Sequence, residues 1–175
     1  MGKVLALHRA FEAAGVIHAF GGALALAYWT ADPRATVDID VNVSLPASAA
    51  RRALEALPAG VGVPDDGLAQ ITANDQIRLR WGRTPVDLFF RVIDFHDGVA
   101  ARSVLRPFAA QLLPFVCADD LAVLKSLFDR PKDWLDIAAM VQAGSLHIPT
   151  VIGRVADIVG SGDERIARLG SLTTT

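Results

Sequence analysis

Two carboxylates, Asp38 and Asp40, flank a single hydrophobic residue in the stretch TVDIDVNV, residues 36–43. Val37, Ile39, Val41 and Val43 alternate with Asp38, Asp40 and Asn42, which is the period of a strand with one apolar and one polar face. On such a strand both acids point the same way, with their β-carbons roughly 6 to 7 Å apart. Like charges so close raise the cost of ionising one another, and a divalent cation between them would remove that cost. Hard cations such as Mg²⁺ take carboxylate oxygens, usually one or two together with substrate phosphates. The residues alone leave two readings open: metal or phosphate chemistry, or a polar strand face looking into solvent.

Two more features bear on that choice. Residues 16–20, VIHAF, suit a short buried strand, and Gly21-Gly22 then turns into the helical run ALALAYW. A strand, a glycine turn and a helix start can face an anion with backbone N–H groups. Asp87, an isolated acid on the apolar strand VDLFF, would add a third carboxylate if that strand lies beside residues 36–44.

The elements that must position these residues follow from periodicity. Residues 3–14 suit a helix with Val4, Leu7, Phe11 and Ala14 on one face, ended by Gly15. Ser44, Leu45 and Pro46 are expected to open a helix running to about Leu57, and residues 58–67 to form a Gly/Pro/Asp loop. QIRLRW and VDLFF read as an antiparallel pair joined through GRTP. Residues 99–117 suggest a short helix and an apolar strand. Helices are expected from Asp119 or Asp120 to Phe128, from Pro131 to Gln142, and over 150–159 and 163–169. The class is α/β, in its α+β form: a core over residues 1–98 leading without a clear linker into a mainly helical part over 99–175.

A chain of 175 residues, 52% hydrophobic and 21% charged, has enough apolar material for a stable core and excludes extended disorder. Its single cysteine, Cys117, excludes an intrachain disulfide and a cysteine metal cluster, which fits a reducing compartment such as the cytoplasm. The net charge of −2 gives no bulk drive toward nucleic acid, though a local basic patch remains open. No uncharged apolar run reads as a membrane span, because paired glycines break the longest one.

The segment FGGALALAYWTADPRATVDIDVNV resembles the signature of the nucleotidyltransferase superfamily that shares the DNA polymerase β type catalytic fold. Within it the segment is similar to the AbiEii-like group, which includes toxin nucleotidyltransferases of toxin-antitoxin systems. Arg34 and Thr36 match residues that precede the aspartate pair in that group. The later run CADDLAVLKSLFDRPKDWLDI resembles its second hallmark. The resemblance spans roughly residues 15–140. It implies a nucleotidyltransferase fold with a short mixed sheet flanked by helices, and transfer of a nucleoside monophosphate from an NTP to an acceptor hydroxyl. It further implies Mg²⁺ or Mn²⁺ held by Asp38, Asp40 and Asp87, the last also acting as, or orienting, the base. Gly21, Gly22, Arg34, Lys125, Lys132 and Asp133 would serve nucleotide binding, and Asp136 fits the last acidic position. Tyr28 and Trp29 stand where many relatives carry histidine and glycine, which leaves the acceptor open.

A tRNA end is the favoured acceptor on this resemblance, and a cognate antitoxin the implied partner. Arg78, Arg80, Arg83 and Arg91, with Arg102 and Arg106, could form a basic rim for a polyanion. The competing readings are an enzyme nucleotidylating a small molecule such as an antibiotic, and a noncatalytic module that keeps the fold to bind or regulate. Of the histidines, His18 reads as packed in the core, His8 and His147 as surface residues, and His96 as a loop residue.

Overall fold

The computed structural model describes residues 1–30 and 36–172. The chain divides into two compact units, one of Met1–Leu24 with Ala35–Val116 and one of Ala25–Arg34 with Cys117–Thr175.

The first unit contains α1 (Gly2–Ala13), β1 (His18–Phe20), the first turn of α2 (Gly22–Trp29), β2 (Ile39–Pro46), α3 (Ala50–Glu55), β3 (Val61–Gly62) and α4 (Gly67–Asn74). It continues with β4 (Gln76–Trp81), β5 (Thr84–Arg91), α5 (Asp94–Ala101), β6 (Val104–Phe108) and β7 (Gln111–Phe115). The described strands form one mixed sheet in the order β3-β4-β5-β2-β1-β7-β6. β2 and β5 run parallel at its centre, while β1–β2, β4–β5 and β6–β7 are antiparallel.

Alternation on β2 works as its sequence dictates: Ile39, Val41 and Val43 are buried, while Asp40 and Asn42 on the other face are half-exposed. β5 is buried on both faces, with Val86, Asp87 and Leu88 all in the interior. α1 covers the sheet with Val4, Leu7 and Phe11, one stripe at helical spacing. Lys3 anchors its start by donating to the Trp81 carbonyl at 2.5 Å and the Thr84 hydroxyl at 2.9 Å.

The second unit holds the rest of α2 with α6 (Ala118–Phe128), α7 (Pro131–Gln142), α8 (Ile148–Val159) and α9 (Glu164–Ser171). Asp129, left-handed at φ 53°, ends α6, and Pro131 opens α7 where its missing N–H costs nothing. Trp134, Ile137 and Met140 bury one stripe of α7.

Several local expectations change. Ser44–Pro46 continue β2 instead of starting a helix: after a register shift Pro46 still pairs with Arg91, and the helix begins only at Ala50, after a 3-10 turn at Ala47–Ala49. The loop expected over 58–67 holds the short β3, and α4 begins at Gly67. Of the region from 99 to 117, residues 99–101 end the short helix α5, and the apolar part forms two strands, the β6–β7 hairpin, whose β7 pairs in parallel with β1. That pairing keeps residues up to Val116 in the first unit, so the boundary drawn between 98 and 99 differs from the division at Cys117. No helix among the described residues is long and apolar enough to cross a membrane.

Candidate active site

Asp40 and Asp87 are register partners across the parallel β2–β5 ladder, so the two acids lie side by side on one face. Asp38 stands one residue before β2. Its backbone N–H donates to the Thr36 hydroxyl at 3.1 Å, which ties down the entry to the strand. The structure therefore brings Asp38, Asp40 and Asp87 to one patch of the sheet.

On the neighbouring strand β4, Arg78 is the register partner of Asp87. Its Nε donates to Asp87 Oδ1 at 2.8 Å and its Nη2 to Oδ2 at 2.6 Å, a two-pronged pair. The same Nη2 lies 3.7 Å from Asp38 Oδ2. One nitrogen thus touches both acids, and those two oxygens are at most the sum of the contacts apart, about 6.3 Å. Asp87 is the most enclosed of the pairings, its side chain 11% exposed against 39% for Asp38 and 60% for Arg78. The Asp87 hydrogen bonds and then its charge hold the guanidinium more firmly protonated than usual; burial opposes them, and the charges of Asp38 and Asp40 add lesser support.

The glycine pair is built around Asp40. The Gly21 N–H donates to the Asp40 carbonyl at 2.9 Å, and a β-carbon at Gly21 would come within 2.7 Å of Asn42 Nδ2. Gly22 takes φ 53°, and a β-carbon there would overlap the Asp40 carboxylate. Glycine at 22 is thus required twice, by the left-handed backbone and by the close approach of Asp40. The result sets the N-terminus of α2, with its positive end, beside a carboxylate on the sheet face.

Carboxylate oxygens such as those of Asp38, Asp40 and Asp87 are the hard donors that Mg²⁺ or Mn²⁺ prefers, and Asp40 is half-exposed and Asp38 exposed. Among the described residues no group of three acidic, histidine or cysteine side chains is already arranged around a common ion position. Arg78 takes up both oxygens of Asp87.

The remaining residues singled out by sequence are placed as follows. Arg34 lies outside the described residues. Lys125, Lys132, Asp133 and Asp136 belong to the second unit. Lys125 is buried and donates to Asp136 Oδ2 at 2.6 Å and Asp133 Oδ1 at 3.4 Å, bridging α6 and α7. Asp133 also accepts from Arg130 Nε at 2.5 Å. Burial pushes the Asp133 carboxyl up, but the Arg130 hydrogen bonds and the Lys125 charge outweigh it and hold it below the usual range. Lys132 is exposed.

The arginines do not make one rim. Arg91 pairs with Asp97 at 2.8 Å, and Arg102 stacks on Phe95 at 5.4 Å. Arg106 lies on β6, five strand spacings from β4, roughly 24 Å at about 4.8 Å per strand. Arg80 and Arg83 remain exposed along the β4–β5 hairpin. His8, expected at the surface, is buried on the inner face of α1 with its Nδ1 3.0 Å from His18 Nε2. His96 sits in the first turn of α5, not in a loop.

The partnership of Arg78 with Asp87 has a signal in the sequence, carried by the hairpin turn. A two-residue Gly82-Arg83 connection makes Trp81 and Thr84 partners, and counting back along both strands places Arg78 opposite Asp87.

No family model matches the chain, and no curated protein matches it. Among solved structures it is similar to the antibiotic-resistance factor ANT(2'')-Ia, whose solution structure reveals substrate-regulated conformation dynamics. The identity is 14%, the likeness covers 97% of this chain and 94% of that one, and the TM-score is 0.57. It is also similar to an antigenic nucleotidyltransferase-like protein from Paracoccidioides brasiliensis, at 13% identity over 94% of this chain and 91% of that one, with a TM-score of 0.52. At these identities the likeness establishes the fold: a mixed α/β nucleotidyltransferase fold.

Proposed function

We propose that this chain is a metal-dependent nucleotidyltransferase whose catalytic carboxylates are Asp38, Asp40 and Asp87. The observation that carries the proposal is the convergence of the three acids on one sheet face beside the Gly21-Gly22 turn and the N-terminus of α2. In the reaction an acceptor hydroxyl attacks the α-phosphorus of an NTP. A new O–P bond forms, the bond to the bridging oxygen of the β-phosphate breaks, and pyrophosphate leaves. Asp87 takes or directs the proton lost by the hydroxyl. The glycine turn lets the phosphates approach backbone N–H groups without side-chain obstruction. Mg²⁺ or Mn²⁺, held by Asp38 and Asp40 with a share from Asp87, supplies charge stabilisation at the α-phosphate and the leaving group. The nucleotide-binding roles of Arg34, Lys125, Lys132 and Asp133 rest on the sequence resemblance.

For the acceptor the proposal is RNA, with a tRNA end first. Arg80 and Arg83 stand exposed on the hairpin that carries Asp87, which supports a polyanion at this edge. Membership of the AbiEii-like group, a toxin role in the cytoplasm and a cognate antitoxin extend the same proposal and rest on the sequence resemblance alone. A small-molecule acceptor is the second reading, favoured by the full-length likeness to an antibiotic-resistance factor and by the loss of Arg78, Arg91, Arg102 and Arg106 from a common rim. The test incubates the protein with α-phosphate-labelled NTPs, Mg²⁺ or Mn²⁺, and total cellular RNA or a panel of aminosugar antibiotics. Label on a discrete RNA supports the first acceptor, label on the antibiotic the second, and label on neither, with no NTP binding, rejects the transferase.

A further inference from the structure

Arg78 stands in the carboxylate cluster as a cation supplied by the chain itself. It bonds both oxygens of Asp87 and lies 3.7 Å from Asp38, so it offsets one of the three like charges on this face. A divalent ion asks for the same oxygens. Guanidinium and ion cannot both take the two lone-pair directions of Asp87 that Arg78 now occupies, and two cations within a few ångströms repel.

We propose that Arg78 is an exchangeable counter-cation: it holds Asp87 and Asp38 in the metal-free chain and must release Asp87 before that carboxylate can join a divalent ion. The proposal rests on the metal-dependent reading of the same site. The geometry suits exchange better than a permanent strut. Arg78 reaches the cluster from β4 with its side chain 60% exposed, so it can swing into water without opening a cavity, whereas Asp87 is fixed on a central, doubly covered strand. The consequence is that the free ion binds weakly to the wild-type chain, and that the two-pronged ion pair is part of what opposes it.

Arg78→Gln removes the charge and keeps a side chain of similar reach. Direct titration with Mn²⁺ alone, followed by electron paramagnetic resonance of the free ion, should show binding to Arg78→Gln roughly tenfold or more tighter than to wild type, because a full positive charge has left the ligand shell. Arg78→Lys keeps the charge but loses the fork, and should fall between the two. Thermal melts should show Arg78→Gln less stable than wild type in chelator and more strongly raised by Mn²⁺. That crossing of stabilities is one that loss of a surface contact would not produce. Equal or weaker Mn²⁺ binding by folded Arg78→Gln, where Asp40→Asn abolishes binding to the wild-type frame, would overturn the exchange and leave the metal-dependent transferase standing. No Mn²⁺ binding to either protein, with or without a non-hydrolysable NTP analogue, would overturn both.

Discussion

The carboxylate of Asp40 occupies the space that any side chain at residue 22 would need, and Gly22 holds a left-handed φ of 53° directly against it. This one contact ties the glycine turn to β2, the strand that carries Asp40. Gly22→Ala should therefore cost about 1–2 kcal/mol from the backbone alone, with further loss from the overlap with Asp40. It should also displace the Asp40 carboxylate, so nucleotidyl transfer should fall by more than the loss of folded protein explains. Melting curves beside transfer rates at a temperature where the variant is folded make the comparison. A folded Gly22→Ala with wild-type transfer would show that Asp40 does not need its observed position.

Lys125 gives a second expectation, this one about stability. Its ammonium is buried between Asp136 and Asp133, so Lys125→Met leaves two enclosed carboxylates with one fewer partner. Breaking such a pair from one side costs about 3–5 kcal/mol. Denaturant titration should show that loss, and adding Asp136→Leu should recover part of it by removing the stranded charge. A Lys125→Met protein of wild-type stability would mean that the ammonium is not holding α6 to α7.

Much of the site was readable because strand phase is local. The period of two over residues 37–43 alone puts Asp38 and Asp40 on one face, and the apolar neighbours of Asp87 mark it as an acid on a buried strand. What stayed hidden depends on partners far along the chain. Pro46 looks like a helix start until pairing with Arg91 keeps it in β2. His8 shares the helical stripe of Val4, Leu7 and Phe11, but its polar ring reads as a surface residue until His18 of β1 supplies the partner that lets it be buried. Lys125 on an amphipathic helix is expected to reach water, and only the packing of α6 on α7 turns it toward Asp136. The helix α4 is faintly marked in the sequence, because its eight residues, GLAQITAN, mix a glycine and two weak helix formers with only a short apolar stripe.

The histidine pair sets a pH dependence. Burial holds the His18 imidazole below its ordinary pKa of 6.5, with the charge of His8 acting the same way and the Val16 carbonyl and Glu12 opposing. The unfolded chain therefore takes up this proton first. Stability from neutral His18 is complete above pH 6.5 and is lost as the pH falls below that value through the depressed folded pKa. Melting temperature should drop between pH 7 and 5.5, and His18→Gln should flatten part of the slope. An unchanged slope in that variant would assign the drop to other groups.

The most direct measurement of the central claim is transfer of the labelled α-phosphate group in wild type and in Asp40→Asn, matched for folding by circular dichroism and melting temperature. Asparagine keeps the shape of the side chain that fits against Gly22 and removes the charge that a cation needs. Like-charge repulsion also falls, so the fold should hold. The account predicts divalent-dependent transfer by the wild type, with release of pyrophosphate, and at least a roughly hundredfold loss in folded Asp40→Asn, the scale of removing one electrostatic group acting at the transition state. Transfer by Asp40→Asn at the wild-type rate would contradict the assignment of catalysis to this face of the sheet.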